Sequence, residues 1–278
     1  MTTAAPPVTI DAFGLTDKGK VRPANEDHFV VVDIHRSVEL LCGSLSPEAL
    51  SNRLGTTTAH LLAVADGVGG GPDGDIASER TAAAVLSYVG KTAICFNGLD
   101  VEREHELLGA LEETVRQVHR QLLSEAPAPN VKTPATTLTL VLLAWPRAYL
   151  VHVGDSRAYV RRRGRVQALT RDQTFGEYMV SVGAWTEEQV TKFRTAETLA
   201  SAIGGSEMTP AVGLIDLEPG DSLMLCTDGL TKHVPDERIA EVLAMPVDSR
   251  TMTETLLADA LEAGGSDNVS VIVARGVA

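Results

Sequence analysis

Asp66, Asp155, Asp228 and Asp267 are the residues through which this 278-residue chain could do chemistry, because each stands at one end of an apolar run. Leu61-Leu62-Ala63-Val64-Ala65 ends on Asp66, Val151-His152-Val153-Gly154 on Asp155, and Leu223-Met224-Leu225-Cys226-Thr227 on Asp228, while Asp267 stands just ahead of the run that starts at Val269. Such a run predicts a buried strand, so a charge at its end emerges where water, an ion or a partner can reach it. Brought together, bare carboxylates about 4 Å apart would repel by roughly 4 kcal/mol per pair, so a cluster needs a cation. No His/Cys spacing suits zinc, and all-oxygen donors favour magnesium, manganese or calcium. No calcium-loop pattern is present. Two such ions would activate a water for in-line attack on an oxygen-rich anionic substrate. Arg22 offers a bidentate fork for a phosphoryl group, and Pro23 holds it extended just ahead of Glu26 and Asp27. Taken alone, that segment reads as a loop salt bridge.

Other motifs fall away. Glycines 67, 69, 70, 71 and 74 allow sharp turns and close backbone approach to a ligand, but no Lys-Ser/Thr follows them, which excludes a P-loop. His105-Glu106 lacks the second histidine of a zinc-protease helix and reads as a surface turn. There is no Gly-x-Ser-x-Gly elbow, and Ser156 and Ser266 read as turn residues. His152 reads as a packed or hydrogen-bonded side chain and Cys226 as an inert core residue, while nothing fixes the direction of His28.

Strands are expected at 9–15, 28–34, 61–65, 137–145, 148–154, 158–160, 166–169, 221–226 and 269–275, with a solvated basic turn at 161–165. Helices are expected at 76–93, 102–125, 236–245 and 251–263. Strands that follow one another in hairpins, with helices in separate blocks, make the class α+β with antiparallel sheets. Residues 1–8 read as a flexible leader. Residues 9–278 read as one domain, with an insertion at 35–58, where Ser46-Pro47 starts a helix, and a helix-leaning flap at 170–205. The net charge of −13 argues against nucleic acid and anionic membrane as partners. Three scattered cysteines suit a reducing compartment, and with neither a secretory signal nor a membrane-spanning run the expected location is cytoplasmic.

The ordered set of Gly19-Lys20-Val21-Arg22-Pro23-Ala24-Asn25-Glu26-Asp27, Val64-Ala65-Asp66-Gly67-Val68-Gly69-Gly70, Thr136-Thr137, Gly154-Asp155-Ser156-Arg157, Leu169-Thr170-Arg171-Asp172, Thr227-Asp228-Gly229-Leu230 and Ser266-Asp267-Asn268-Val269 resembles the metal-dependent protein phosphatases of the PPM, or protein phosphatase 2C, family in their compact bacterial form. The resemblance covers residues 14–275. It implies an αββα β-sandwich of two antiparallel sheets flanked by helices, with the metal site at one end. It also implies hydrolysis of phosphoserine and phosphothreonine in proteins without a phosphoenzyme. By that resemblance Asp66 bridges two manganese or magnesium ions, the Gly67 carbonyl joins it, Asp228 and Asp267 complete the second ion, and Asp155 with Asp228 matches a third, weaker one. Glu26 and Asp27 match acidic residues that orient waters around the ions, and Arg22 matches the phosphate-binding arginine. The implied partners are phosphorylated proteins, including autophosphorylated Ser/Thr kinases, acted on by a monomer. Val68 stands where eukaryotic relatives often carry a histidine, Ala135 replaces a glycine, the flap lacks its usual His-Pro, and Lys232-His233 is an unusual pair. Two rival readings share the site: a non-catalytic phosphoprotein-binding module and a hydrolase of small phosphoesters.

Overall fold

Within strand β3 (Thr56–Val68), residues 61–65 read as an unbroken apolar run because both faces are buried there. Leu61, Ala63 and Ala65 enter one core, whereas Leu62 and Val64 enter another. The same period of two sorts Leu138, Leu140 and Leu142 from Val141 and Leu143 in β5 (Leu138–Ala144). The computed structural model describes residues 8–37, 56–69, 72–92, 101–125 and 133–277.

One sheet runs β2 (Asp27–Ser37), β3, β5, β6 (Arg147–Val153) and β9 (Ala211–Asp216), with the two-residue β4 (Ala135–Thr136) on β3. The other runs β1 (Thr9–Asp17), β11 (Val269–Val277), β10 (Ser222–Cys226), β7 (Arg157–Arg162) and β8 (Arg165–Ala168). Every pairing is antiparallel. Helices α1 (Pro72–Thr92) and α2 (Val101–Ser124) cover the first sheet through Val85, Val89, Leu111, Val115 and Leu122. The flap carries the short α3 (Phe175–Ser181) and α4 (Glu187–Val190), and α5 (Asp228–Thr231) follows β10. Helices α6 (Asp236–Leu243) and α7 (Ser249–Glu262) cover the second sheet through Ile239, Val242, Met252 and Leu256. A third core, which includes Leu225 and Ile272, fills the space between the sheets. Each fully buried leucine or isoleucine contributes roughly 1.5–3 kcal/mol of transfer free energy, which makes the layers a stiff frame for the loops at their ends. The order helix, sheet, sheet, helix is the expected αββα sandwich.

Some expectations are corrected. Residues 35–37 and 56–58 are not insertion but the paired ends of β2 and β3, with Ser37 opposite Thr56. The helix start at 46–50 and the leader 1–7 lie outside the described residues. His105-Glu106 sits inside α2 and not in a turn. Strand β9 was not anticipated: it holds a sheet edge, carries Gly213, and leaves Val212 and Leu214 exposed, so neither alternation nor a buried run marks it. Among the described residues no helix is long and apolar enough to cross a membrane.

Candidate metal and phosphate site

Antiparallel pairing gathers the four aspartates at one end of the sandwich. Asp27 is directly opposite Asp66 in the β2–β3 ladder. Cys226 pairs with both Arg157 and Val271, which puts the β6–β7 turn holding Asp155, the start of α5 at Asp228, and the residues ahead of β11 on the same side. The result is a cleft of about 660 Å³ lined by Arg22, Glu26, Asp66, Asp155, Asp228 and Asp267. Flap residues 197–202 also line it.

Hydrogen bonds fix the segments that carry these carboxylates. The Asp66 carbonyl accepts from the Thr136 hydroxyl at 2.8 Å and the Thr137 amide at 2.9 Å, while the Asp66 amide donates to Thr137 Oγ1 at 3.0 Å. Asp27 Oδ2 accepts from the Thr227 and Ser270 hydroxyls at 2.8 and 2.7 Å. Asn268 ties the loop carrying Arg22 to β11: its amide nitrogen donates to the Lys18 and Ala24 carbonyls, both at 2.9 Å, and its Oδ1 accepts from the Glu26 amide at 2.9 Å. His233 Nε2 accepts from the Ser266 amide at 2.9 Å, fixing the turn ahead of Asp267. Gly154, at φ 107°, makes the bend before Asp155 in the left-handed region that favours glycine. The Gly154 amide donates to Gln173 Oε1 at 3.0 Å, and the Gln173 amide donates back to the Gly154 carbonyl at 2.7 Å, joining the flap to this turn.

The glycines at 67 and 74 serve a tighter purpose than turn-making. A Cβ on Gly67 would lie 2.5 Å from the Gly74 backbone and 2.7 Å from the Glu26 carbonyl, and one on Gly74 would strike the Glu26 carboxylate. Three backbone segments therefore meet at the Asp66 corner. Of the glycines at 67, 69 and 74, only Gly69 has a left-handed φ, at 143°, while 70 and 71 lie outside the described residues.

Burial, and then the neighbouring carboxylates, push Asp66 well above the ordinary carboxylate range. Burial likewise carries Asp27 and Asp155 up to about 7 each, with Asp228 adding to both. Asp228 is raised by burial, which its contact with Lys232 opposes. Asp267 goes the other way: burial raises it, but hydrogen bonds from Lys232 and Arg22 outweigh that and hold it low. Arg22 and Lys232 thus supply the positive charge among these side chains. Arg22 Nε stands 2.8 Å from Asp267 Oδ1 and its Nη2 2.9 Å from Oδ2. Lys232 Nζ lies 2.6 Å from Asp228 Oδ2 and 2.8 Å from Asp267 Oδ2.

Among the described residues no three His, Cys, Asp or Glu side chains form a ready-made metal ligand set. The four aspartates line one cleft, with ammonium and guanidinium groups on two of its carboxylates. The donor chemistry nonetheless fits a hard divalent ion. All the acidic donors are oxygens, and Asp27 Oδ1 and Asp228 Oδ1 are buried without a hydrogen-bond partner. Arg22 meets Asp267 and not the adjacent Glu26 or Asp27, which corrects the local salt bridge suggested by the segment alone. The supporting roles of Asn268 and His233 and the reach of Lys232 carry no signal in local spacing, although Lys232-His233 stood out as an unusual pair. His152 is packed as expected, with Nδ1 2.9 Å from Thr139 Oγ1, and Cys226 is fully buried. His28, left open by sequence, places Nδ1 3.0 Å from Ser78 Oγ.

The sequence profile described as "Protein phosphatase 2C" matches residues 51–263. The serine/threonine protein phosphatase PstP of Mycobacterium tuberculosis is 36% identical over 217 residues, 78% of this chain and 40% of PstP. The chain therefore spans well under half the length of that relative. A solved Streptococcus agalactiae serine/threonine phosphatase aligns with TM-score 0.76 and 25% identity, covering 96% of this chain and 99% of that one. The catalytic domain of PstP in complex with two manganese ions aligns with TM-score 0.71 and 30% identity, covering 98% and 100%.

Proposed function

We propose, from the premise that this chain belongs to the protein phosphatase 2C family, that it hydrolyses phosphoserine and phosphothreonine in proteins with the help of bound divalent ions. The observation that carries this reading is the oxygen-lined cleft that Asp66, Asp155, Asp228 and Asp267 line together with Arg22. In this reading Asp66, Asp228, Asp267 and the Gly67 carbonyl hold two manganese or magnesium ions, and Asp155 with Asp228 holds a third, weaker one. When bound, these ions would lower the pKa of the attacking water and offset the charge of the phosphoryl oxygens.

The rest of the work falls to the chain itself. Arg22 forks two phosphoryl oxygens and fixes the phosphorus in line for attack, a task its planar guanidinium suits better than an ammonium would. Glu26 and Asp27 accept hydrogen bonds that orient water, Asp27 from a seat fixed by Thr227 and Ser270. Val68 offers no acid to the leaving group, so departure relies on a loose transition state in which little protonation is needed. Phosphorylated proteins are the proposed substrates, autophosphorylated Ser/Thr kinases among them, for a monomeric cytoplasmic enzyme.

One observation favours a second reading as a non-catalytic phosphoprotein-binding module: Lys232 already bridges Asp228 and Asp267. Hydrolysis of phosphothreonine peptides against a small aryl phosphate, with manganese and then with chelator, separates the readings. Metal-dependent turnover that favours peptides is expected. Peptide binding without turnover would support the module, and preference for the small ester would reassign the substrate class.

A further inference from the structure

Lys232 has no counterpart in the chemistry proposed above, yet its position is highly specific. It caps the four-residue helix α5, one turn after Asp228, and its ammonium lies within hydrogen-bonding distance of both Asp228 and Asp267. These are the two carboxylates assigned to the second ion. The other oxygen of Asp228 is buried and has no partner, so the cationic contact leaves the site only half satisfied. An ammonium is a single charge with three donors, whereas a divalent ion brings twice the charge and draws on oxygens from several sides. The Lys232 side chain is 38% exposed, so its four-carbon stem has a route to water that leaves the core undisturbed.

We infer that Lys232 is a tethered competitor for the second divalent ion: its ammonium neutralises Asp228 and Asp267 in the metal-free protein and must swing out before an ion can take both carboxylates. The inference rests on the metal-site reading above and adds a device that sets the threshold of metal loading. The competition works in two directions. It spares the metal-free fold the repulsion of adjacent buried carboxylates, and it weakens ion binding by the contact that must be broken.

The test is calorimetric titration of manganese into the chelator-stripped protein, paired with thermal unfolding in chelator. Lys232→Met is expected to bind its weakest core ion roughly tenfold more tightly than the parent, the scale of losing one charged contact. It is also expected to unfold at lower temperature in chelator, and to regain at least the parent's midpoint when saturated with manganese. Lys232→Gln, which keeps hydrogen bonding without the charge, should behave alike and serves if the Met variant does not fold. Lys192→Ala, which removes an exposed lysine paired only with Glu188, should change neither reading. Unchanged or weaker manganese affinity in a folded Lys232 variant, with a parent that binds the ion, overturns the inference alone. Failure of both parent and variants to bind manganese overturns the inference and the metal-site reading together.

Discussion

Arg22 holds both carboxylate oxygens of Asp267, a residue 245 positions further along the chain, at 2.8 and 2.9 Å. The guanidinium proposed to grip a phosphoryl group thus rests on a carboxylate proposed to hold an ion. Asp267 is also bound by Lys232, so two cations share one acceptor. Were an ion to take Asp267, the Arg22 fork would be freed for a substrate oxygen, which would couple the two halves of the proposed site.

That coupling makes Arg22 separable from the metal ligands by kinetics. Arg22→Ala removes a charge-assisted bidentate contact of about 1.5–3 kcal/mol, so kcat/KM for a phosphopeptide should fall roughly 10- to 100-fold, carried mainly by KM. Manganese affinity should hold or improve, because Asp267 loses a competitor. Arg22→Lys should recover little, since an ammonium cannot form the fork. Steady-state kinetics alongside calorimetry checks both halves. Loss of metal binding with KM unchanged would place Arg22 in the wrong role.

The raised carboxylates give the metal-free protein a characteristic pH response. Asp27 and Asp155 titrate near 7 in the folded chain and near 3.8 when unfolded, so between those values the folded state binds more protons. The stability they confer is complete below the lower value and is lost as pH rises through the upper one. In chelator, the unfolding temperature should therefore fall between about pH 4 and about pH 7, and less steeply in Asp27→Asn. Saturating manganese should flatten the slope by compensating the carboxylates. A metal-free profile that rises over this range would contradict the burial argument.

Gly67 is fixed by crowding and not by a special backbone angle. A methyl there would meet backbone atoms of Gly74 and Glu26, which cannot rotate aside as a flexible side chain would. Gly67→Ala should destabilise the protein by about 1–3 kcal/mol, visible in denaturant unfolding, and should weaken manganese binding by displacing the Asp66 corner. Gly69→Ala meets no neighbour and should cost only the strain of its left-handed φ. Equal effects at the two positions would contradict the close-approach account.

The sequence made some of these features legible for a physical reason. A carboxylate that closes an apolar run has to emerge at a strand end, so Asp66 and Asp228 announce themselves, and antiparallel pairing does the rest. Strand β9 stayed hidden because an exposed edge strand with a glycine satisfies neither a buried nor an alternating pattern. Lys232 was visible only as an oddity, since its partner Asp267 is 35 residues away and its ion pair with Asp228 looks like an ordinary helical contact. Asn268 stood in a motif without a role, because its three side-chain hydrogen bonds reach a loop more than 240 residues distant.

The most direct measurement is hydrolysis of a phosphothreonine peptide by the parent protein and by Asp66→Asn, titrated with manganese and reversed by chelator, with bound ions counted in parallel. The account predicts turnover by the parent that rises with manganese occupancy and vanishes in chelator. It predicts at least one fewer bound ion and near-complete loss of turnover in the variant. Turnover that survives chelation, or an Asp66→Asn protein as active as its parent, would contradict it.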